Sequence, residues 1–285
     1  MSARFKAACI QMTSGPAIEA NVAAASELVR RARDQGADLI MTPEVSDMIE
    51  PKRALALDKA RPETEHAMLA AFRELARATG VWLLLGSVVV RDRDAERLSN
   101  RSFLISPQGE IAARYDKIHM FDVDLTTGER HRESQAYKSG DKAVVANLPW
   151  GRLGMSICYD LRFPHLYRAL AKAGAEFLAV PSAFTVPTGR AHWHVLLRAR
   201  AIENGCFVFA PAQWGEHGGG RRTYGHALIV APWGEILAEA EDGVGVIVAE
   251  IDPAKVAEAR RAVPSLTHDR LFAAPNRTNT IAAAG

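Results

Sequence analysis

Apolar positions along this chain change their spacing at regular intervals, and each change marks an element. Phe5–Met12 is an apolar run of strand length. From Ala17 to Gln35, Ile18, Val22, Ala25, Leu28, Val29 and Ala32 recur every three or four residues, which predicts a helix with one buried face and Gly36 as its stop. A strand ending at Pro43 follows. A helix over Glu63–Thr79 turns Met68, Phe72, Leu75 and Ala76 inward, Val81–Val90 is a strand, and Ser102–Ile105 and Ile111–Tyr115 form a hairpin across Pro-Gln-Gly-Glu. The pattern then starts again. It gives a strand at Leu153–Ile157, a helix at Pro164–Lys172 opened by a proline, and a strand ending at Pro181. A helix at His192–Asn204, a strand at Cys206–Ala210 and a hairpin across Pro-Trp-Gly-Glu complete it.

The residues repeat as well as the pattern. Gly36-Ala37-Asp38-Leu39-Ile40-Met41-Thr42-Pro43 resembles Gly174-Ala175-Glu176-Phe177-Leu178-Ala179-Val180-Pro181, an offset of 138 residues. Phe103-Leu104-Ile105-Ser106-Pro107-Gln108-Gly109-Glu110-Ile111 resembles Leu228-Ile229-Val230-Ala231-Pro232-Trp233-Gly234-Glu235-Ile236 at an offset of 125, and Gly80-Val81-Trp82-Leu83 resembles Gly205-Cys206-Phe207-Val208 at the same offset. Three ordered matches indicate an internal duplication. The change of offset puts 13 extra residues in the first half, between Pro43 and Gly80. Strand–helix alternation gives parallel βαβ units, and the hairpins add antiparallel strands. Two such halves bury most surface by packing sheet on sheet with helices outside, a four-layer α-β-β-α sandwich with a pseudo-twofold repeat. The alternative is one continuous doubly wound sheet.

Composition fits one such unit. The 285 residues are long for a single α/β domain and short for two complete ones, which the duplication explains. With 48% apolar and 24% charged residues and a net charge of +2, neither nucleic acid nor an anionic membrane is an expected partner. The longest apolar stretch is ten residues, half the ~20 that a spanning helix needs. Cys9, Cys158 and Cys206 are odd in number and form no CxxC pair, which points to a reducing, cytoplasmic location.

Sites in open α/β sheets lie beyond the carboxyl ends of strands. Glu44 directly follows the strand that ends at Pro43, Cys158 follows Leu153–Ile157, and Lys117 follows Ile111–Tyr115. A pseudo-twofold axis would make Glu44 and Ser182 equivalent. A carboxylate whose pKa is raised by desolvation can deprotonate a thiol. A nearby ammonium lowers the thiol pKa and stabilises an oxyanion, as does the Tyr159 backbone N–H at the turn.

Thr42-Pro43-Glu44, Tyr115-Asp116-Lys117-Ile118-His119-Met120-Phe121-Asp122 and Gly154-Met155-Ser156-Ile157-Cys158-Tyr159-Asp160-Leu161-Arg162-Phe163-Pro164 resemble the three signature segments of the nitrilase superfamily of carbon–nitrogen hydrolases. The resemblance runs from near residue 5 to about 275. It implies a Glu-Lys-Cys triad at Glu44, Lys117 and Cys158. Arg132-Glu133-Ser134 is similar to the segment that carries a second glutamate, Glu133. It further implies one domain over 1–285 (core about 4–275, tail 276–285), no cofactor, a small-molecule amide substrate and commonly a homodimer. Pro181-Ser182-Ala183-Phe184 and Ala191–Glu203 look most like the deaminated glutathione amidases within that superfamily, with the ω-amidases close. That implies hydrolysis of deaminated glutathione to 2-oxoglutarate and cysteinylglycine, or of 2-oxoglutaramate. Arg162, Ser182, Phe184 and Thr185 are the expected substrate contacts. The chain departs from the family pattern at Thr185-Val186-Pro187 and in the Gly218–Gly220 loop.

Each candidate has a plainer reading. Arg162 can pair with Asp160 or Glu176 instead of a substrate, Glu133 with Arg130 or Arg132, and Lys117 can be solvated beside Asp116. Cys9 and Cys206 sit in apolar strands and read as core thiols. His192 and His194 are two apart on a helix and diverge, so no metal site is expected. His217–Arg222 lacks GK[ST] and a following helix, so it is no phosphate loop but a mobile loop at the rim of the site. Rival functions are a Cys-His hydrolase using one of nine histidines, and a non-catalytic binding protein.

Overall fold

The computed structural model describes residues 3–92, 96–125 and 128–273; the tail expected at 276–285 lies outside them. The first half contains β1 (Phe5–Met12), α1 (Ile18–Asp34), β2 (Leu39–Met41), α2 (Arg53–Lys59), α3 (Ala67–Thr79), β3 (Trp82–Val90), β4 (Ser99–Ile105) and β5 (Ile111–Asp116). A short hairpin of β6 (Asp122–Asp124) and β7 (Arg130–Arg132) follows. The second half contains β8 (Val144–Leu148), β9 (Gly151–Met155), α4 (Pro164–Lys172), β10 (Phe177–Ala179), α5 (Val186–Asn204), β11 (Phe207–Ala210), β12 (Ala212–Glu216) and β13 (Arg222–Tyr224). The chain finishes with β14 (Leu228–Val230), β15 (Ile236–Glu239), β16 (Gly245–Ile251) and α6 (Ala254–Ala262).

Two sheets result. One runs β13-β12-β1-β2-β3-β4-β5, with β16 added antiparallel to β1; the other runs β15-β14-β11-β10-β9-β8. Strand alternation decides what each face meets. Phe5, Ala7 and Cys9 of β1 pack with Leu153, Met155 and Phe177 of the other sheet, whereas Ala8, Ile10 and Met12 pack under Leu28, Val29, Phe72 and Leu75 of α1 and α3. On the far side, Leu166 and Leu170 of α4 and Trp193 and Leu197 of α5 cover the second sheet. The order is therefore α-β-β-α, and the continuous-sheet alternative falls because β2 and β10 lie in different sheets.

The structure adds what the spacing did not reveal. β12 and β16 come from the C-terminal half yet pair with β1, so the second half lends strands to the first sheet. The extra residues of the first half hold α2, where Val45, Met48, Ile49, Ala56 and Ala60 form a separate small core with Val89 and Leu98. α5 starts at Val186, ahead of the expected His192, because Pro187 fits its first turn and Thr185 is extended. The halves meet at Gly86 of β3. A Cβ there would lie 1.9 Å from Thr42 O and 2.7 Å from Pro181 Cβ, so only glycine lets the two equivalent prolines approach this strand. Among the described residues no helix is long and apolar enough to cross a membrane.

Candidate active site

The Cys158 turn is built around a backbone conformation that L-residues avoid. Cys158 has φ 50, in the left-handed region, three residues past the end of β9. Two hydrogen bonds and the start of a helix hold it there. Cys158 N donates to Pro181 O at 3.0 Å, Ile157 N donates to Asp160 Oδ2 at 2.9 Å, and Pro164 opens α4 behind it. Val45, next to Glu44, also has positive φ (46), a second outlier at a strand end. Its N–H donates to Ser87 Oγ at 2.8 Å.

These turns converge on one cavity of about 100 Å³ that opens to solvent. Glu44, Lys117, Glu133, Cys158, Tyr159 and Arg162 line it, with Phe184 and Thr185 from the start of α5. Lys117 Nζ donates to Glu44 Oε1 at 2.8 Å and to both oxygens of Glu133 at 3.0 and 2.9 Å. Glu133 also accepts from Phe121 N at 2.7 Å, so it faces the cavity and does not pair with Arg130 or Arg132, both of which bind Asp124. Lys117 is buried rather than solvated beside Asp116.

Ser182 is not brought to the cavity. It is fully buried, its hydroxyl donates to Val180 O at 3.0 Å, and it pairs with Ala212. Both residues follow equivalent prolines, but β12 runs alongside the Pro181 segment and binds the Ser182 backbone, so Ser182 stays out of the cavity lining. Arg162 pairs with neither Asp160 nor Glu176. Asp160 is occupied by Tyr115 and His119, and Glu176 by the Arg152 backbone. The Arg162 guanidinium instead lies 5.8 Å from the Tyr159 ring centre and 5.4 Å from that of Phe184, and it touches His192 Nδ1 at 3.2 Å. Cys9 and Cys206 are core thiols, bonded to the carbonyls of Leu228 and Ala175.

Among the lining residues that the sequence reading missed, Asn100 and Arg221 bring polar groups to the site. Asn100 donates from Nδ2 to Glu44 Oε1 at 3.0 Å and to Glu133 Oε1 at 3.4 Å. Its signal was a buried asparagine inside a strand, where that residue is disfavoured. Arg221 enters from the Gly218–Gly220 loop, so that loop does reach the rim.

Residues 6–261 match the carbon–nitrogen hydrolase family. The chain is 42% identical over 265 residues to the deaminated glutathione amidase of Yersinia enterocolitica, covering 92% of each protein. It is 40% identical over 267 residues to the human protein of that name, covering 92% of this chain and 81% of the relative. The chain is a carbon–nitrogen hydrolase. Its chemistry is the hydrolysis of an amide carbon–nitrogen bond. The hydrolase superposes on the crystal structure of the C. elegans NitFhit protein with a TM-score of 0.87 at 39% identity, covering 94% of this chain and 66% of that one. It superposes on Saccharomyces cerevisiae Nit3, a member of the nitrilase superfamily, at 0.83 and 29% identity, covering 92% and 94%.

The electrostatics of the hydrolase site depart from the sequence expectation. Burial pushes the Glu44 carboxyl upward, but the ion pair with Lys117 outweighs it and holds the group below the usual carboxylate range. Burial likewise opposes the Lys117 charge, and Glu133 and Glu44 together raise it well above an ordinary lysine. Burial and the Glu44 charge push the Cys158 thiol up, with Lys117 only partly offsetting them. The ammonium sits against the two carboxylate side chains rather than the sulfur.

Proposed function

We propose that this hydrolase cleaves deaminated glutathione through a Cys158 thioester, releasing cysteinylglycine and then 2-oxoglutarate. Glu44 takes the Cys158 proton as Sγ attacks the amide carbonyl. The oxyanion forms beside Lys117 and the Tyr159 N–H, since the Cys158 N–H is occupied by Pro181 O. As the carbon–nitrogen bond breaks, Glu44 returns the proton to the departing amine. Water then attacks the thioester, giving its proton to Glu44 with Glu133 alongside, and the thiol leaves reprotonated.

The observation that carries the substrate reading is the state of two guanidiniums. Arg162 and Arg221 both line the cavity over Cys158, and among the described residues neither is ion-paired. Arg221 also has a buried Nε with no partner. Two such cations favour an acyl donor or leaving group that carries carboxylates, and deaminated glutathione carries both. Glutamine, nitriles and N-carbamoyl amino acids meet that demand less well. Three buried free cysteines support a cytoplasmic location. The exposed Ile202 and Trp233, 53% and 58% accessible, support a homodimer through the outer face of α5.

Parallel turnover assays on deaminated glutathione, 2-oxoglutaramate, glutamine, a simple nitrile and an N-carbamoyl amino acid test the substrate. Deaminated glutathione should have the highest kcat/KM, and Arg162→Met should raise its KM at least tenfold. A higher kcat/KM for 2-oxoglutaramate reassigns the enzyme to the ω-amidases. Intact mass spectrometry should find the acyl adduct on Cys158, and turnover by Cys158→Ala would sink the mechanism.

A further inference from the structure

Away from the cavity, three elements converge on a group that the hydrolysis does not use. His194 on α5, His226 between β13 and β14, and Glu239 at the end of β15 place three ligand-type atoms within 4.8 Å of one another. His194 Nε2 lies 2.8 Å and His226 Nδ1 3.0 Å from the same oxygen, Glu239 Oε1. The side chains keep 30%, 26% and 35% of their surface, so solvent and an ion can reach them.

The surroundings orient the rings. His226 has φ 55, its carbonyl accepts from Trp193 Nε1 at 2.7 Å, and its ring stacks on Tyr224 with centres 4.3 Å apart. Its second nitrogen, Nε2, faces Asp242 Oδ1 at 4.0 Å, and Asp242 is itself held by Trp214 Nε1 at 3.4 Å. A carboxylate behind the far nitrogen of an imidazole is the usual support of a metal-ligating histidine.

The spacing suits a metal ion. Zinc bonds of ~2.0–2.1 Å put tetrahedral ligand atoms about 3.3 Å apart, so the two short edges open by a few tenths of an ångström and the histidine–histidine edge closes.

We propose that His194, His226 and Glu239 bind a divalent transition-metal ion of the zinc class, fastening α5 to the β14–β15 hairpin. Two imidazoles and one carboxylate select zinc, cobalt, nickel or copper over magnesium or calcium. Water completes the coordination. His192 takes no part, because it turns to Arg162, as residues two apart on a helix must.

Calorimetric titration of the full-length Cys158→Ala variant with zinc chloride is the test, since removing the thiol excludes binding at the active site. One ion per chain is expected, with a heat that depends on the buffer's ionisation enthalpy because protons are released. His194→Ala and Glu239→Gln, made in the same background, should each weaken binding at least tenfold. In the wild-type background they should leave metal-free turnover unchanged, which shows that the variants fold. Cobalt should give a visible spectrum lacking a thiolate charge-transfer band in the wild type. Absence of binding, or an affinity that neither variant lowers, would overturn the site.

Discussion

Lys117 Nζ and Glu44 Oε1 lie 2.8 Å apart with their side chains only 2% and 5% exposed. The pair joins β5 to the end of β2, so chemistry and fold depend on the same contact. Removing one partner strands the other. Lys117→Met should destabilise the protein by about 3–5 kcal/mol, because two carboxylates remain buried without their cation. Glu44→Gln added to Lys117→Met should recover part of that stability and none of the turnover. Urea midpoints with initial rates measure both, and an additive double variant would show that the two groups are not coupled.

The pH dependence follows from the directions of the shifts. Glu44 is held below the ordinary value of ~4.3. Its stabilising contribution is therefore fully present above that value and lost as pH falls through the lower folded value. As the proposed base it is already ionised at neutral pH, so the acid limb of kcat/KM should lie below about pH 5. Lys117 is raised well above 10.5, so no loss of rate from that group should appear below about pH 10. A pH–rate profile checks this. An acid limb between pH 6 and 7 would mean that desolvation, not Lys117, governs the carboxyl.

Much of this molecule was legible because its signals are local. The helical period of Val22 to Ala32, the glycine stops and the Pro-x-Gly-Glu turns depend on neighbours in sequence, and α1, α3 and both hairpins appear where they were expected. The apolar runs also place Glu44, Lys117 and Cys158 just past predicted strands. Long-range pairing was not legible. β12 and β16 join β1 across 200 or more residues, and nothing in Ala212–Glu216 announces which sheet it enters. Ser182 was misread for that reason. The sign of the Glu44 shift was also out of reach, because it turns on whether the ammonium sits nearer the carboxylate or the sulfur.

Gly86 tests the meeting of the two halves. With 1.9 Å to Thr42 O and 2.6 Å to Pro43 O, a methyl group there must displace the backbone that ends at Glu44. Gly86→Ala should cost more than the 1–3 kcal/mol typical of an overpacked core, since the obstacle is main chain. Gly80→Ala is the control: it has φ 67 but nothing within 4 Å of the added carbon. Thermal unfolding should separate them, with the larger loss at Gly86. Equal losses would mean that the contact with the Thr42–Pro43 backbone is not tight.

Asp160 ties the nucleophile turn to the lysine segment. Its Oδ2 accepts from Tyr115 Oη at 2.6 Å and Ile157 N at 2.9 Å, while Oδ1 accepts from His119 N at 3.0 Å and faces His119 Nδ1 at 2.6 Å. Tyr115 and His119 flank Lys117, and Ile157 precedes Cys158, so one fully buried carboxylate fixes the spacing between ammonium and sulfur. Asp160→Asn keeps the shape but turns an NH2 toward groups that donate, leaving buried donors unsatisfied at a cost of about 2–4 kcal/mol. A shift of the turn by an ångström can slow the chemistry about a hundredfold. The expected signature is a fall in kcat with KM little changed, and no rescue by Asp160→Glu, whose longer arm moves the turn again. If kcat and KM change together, or if only stability falls, Asp160 supports the fold without setting the geometry of attack.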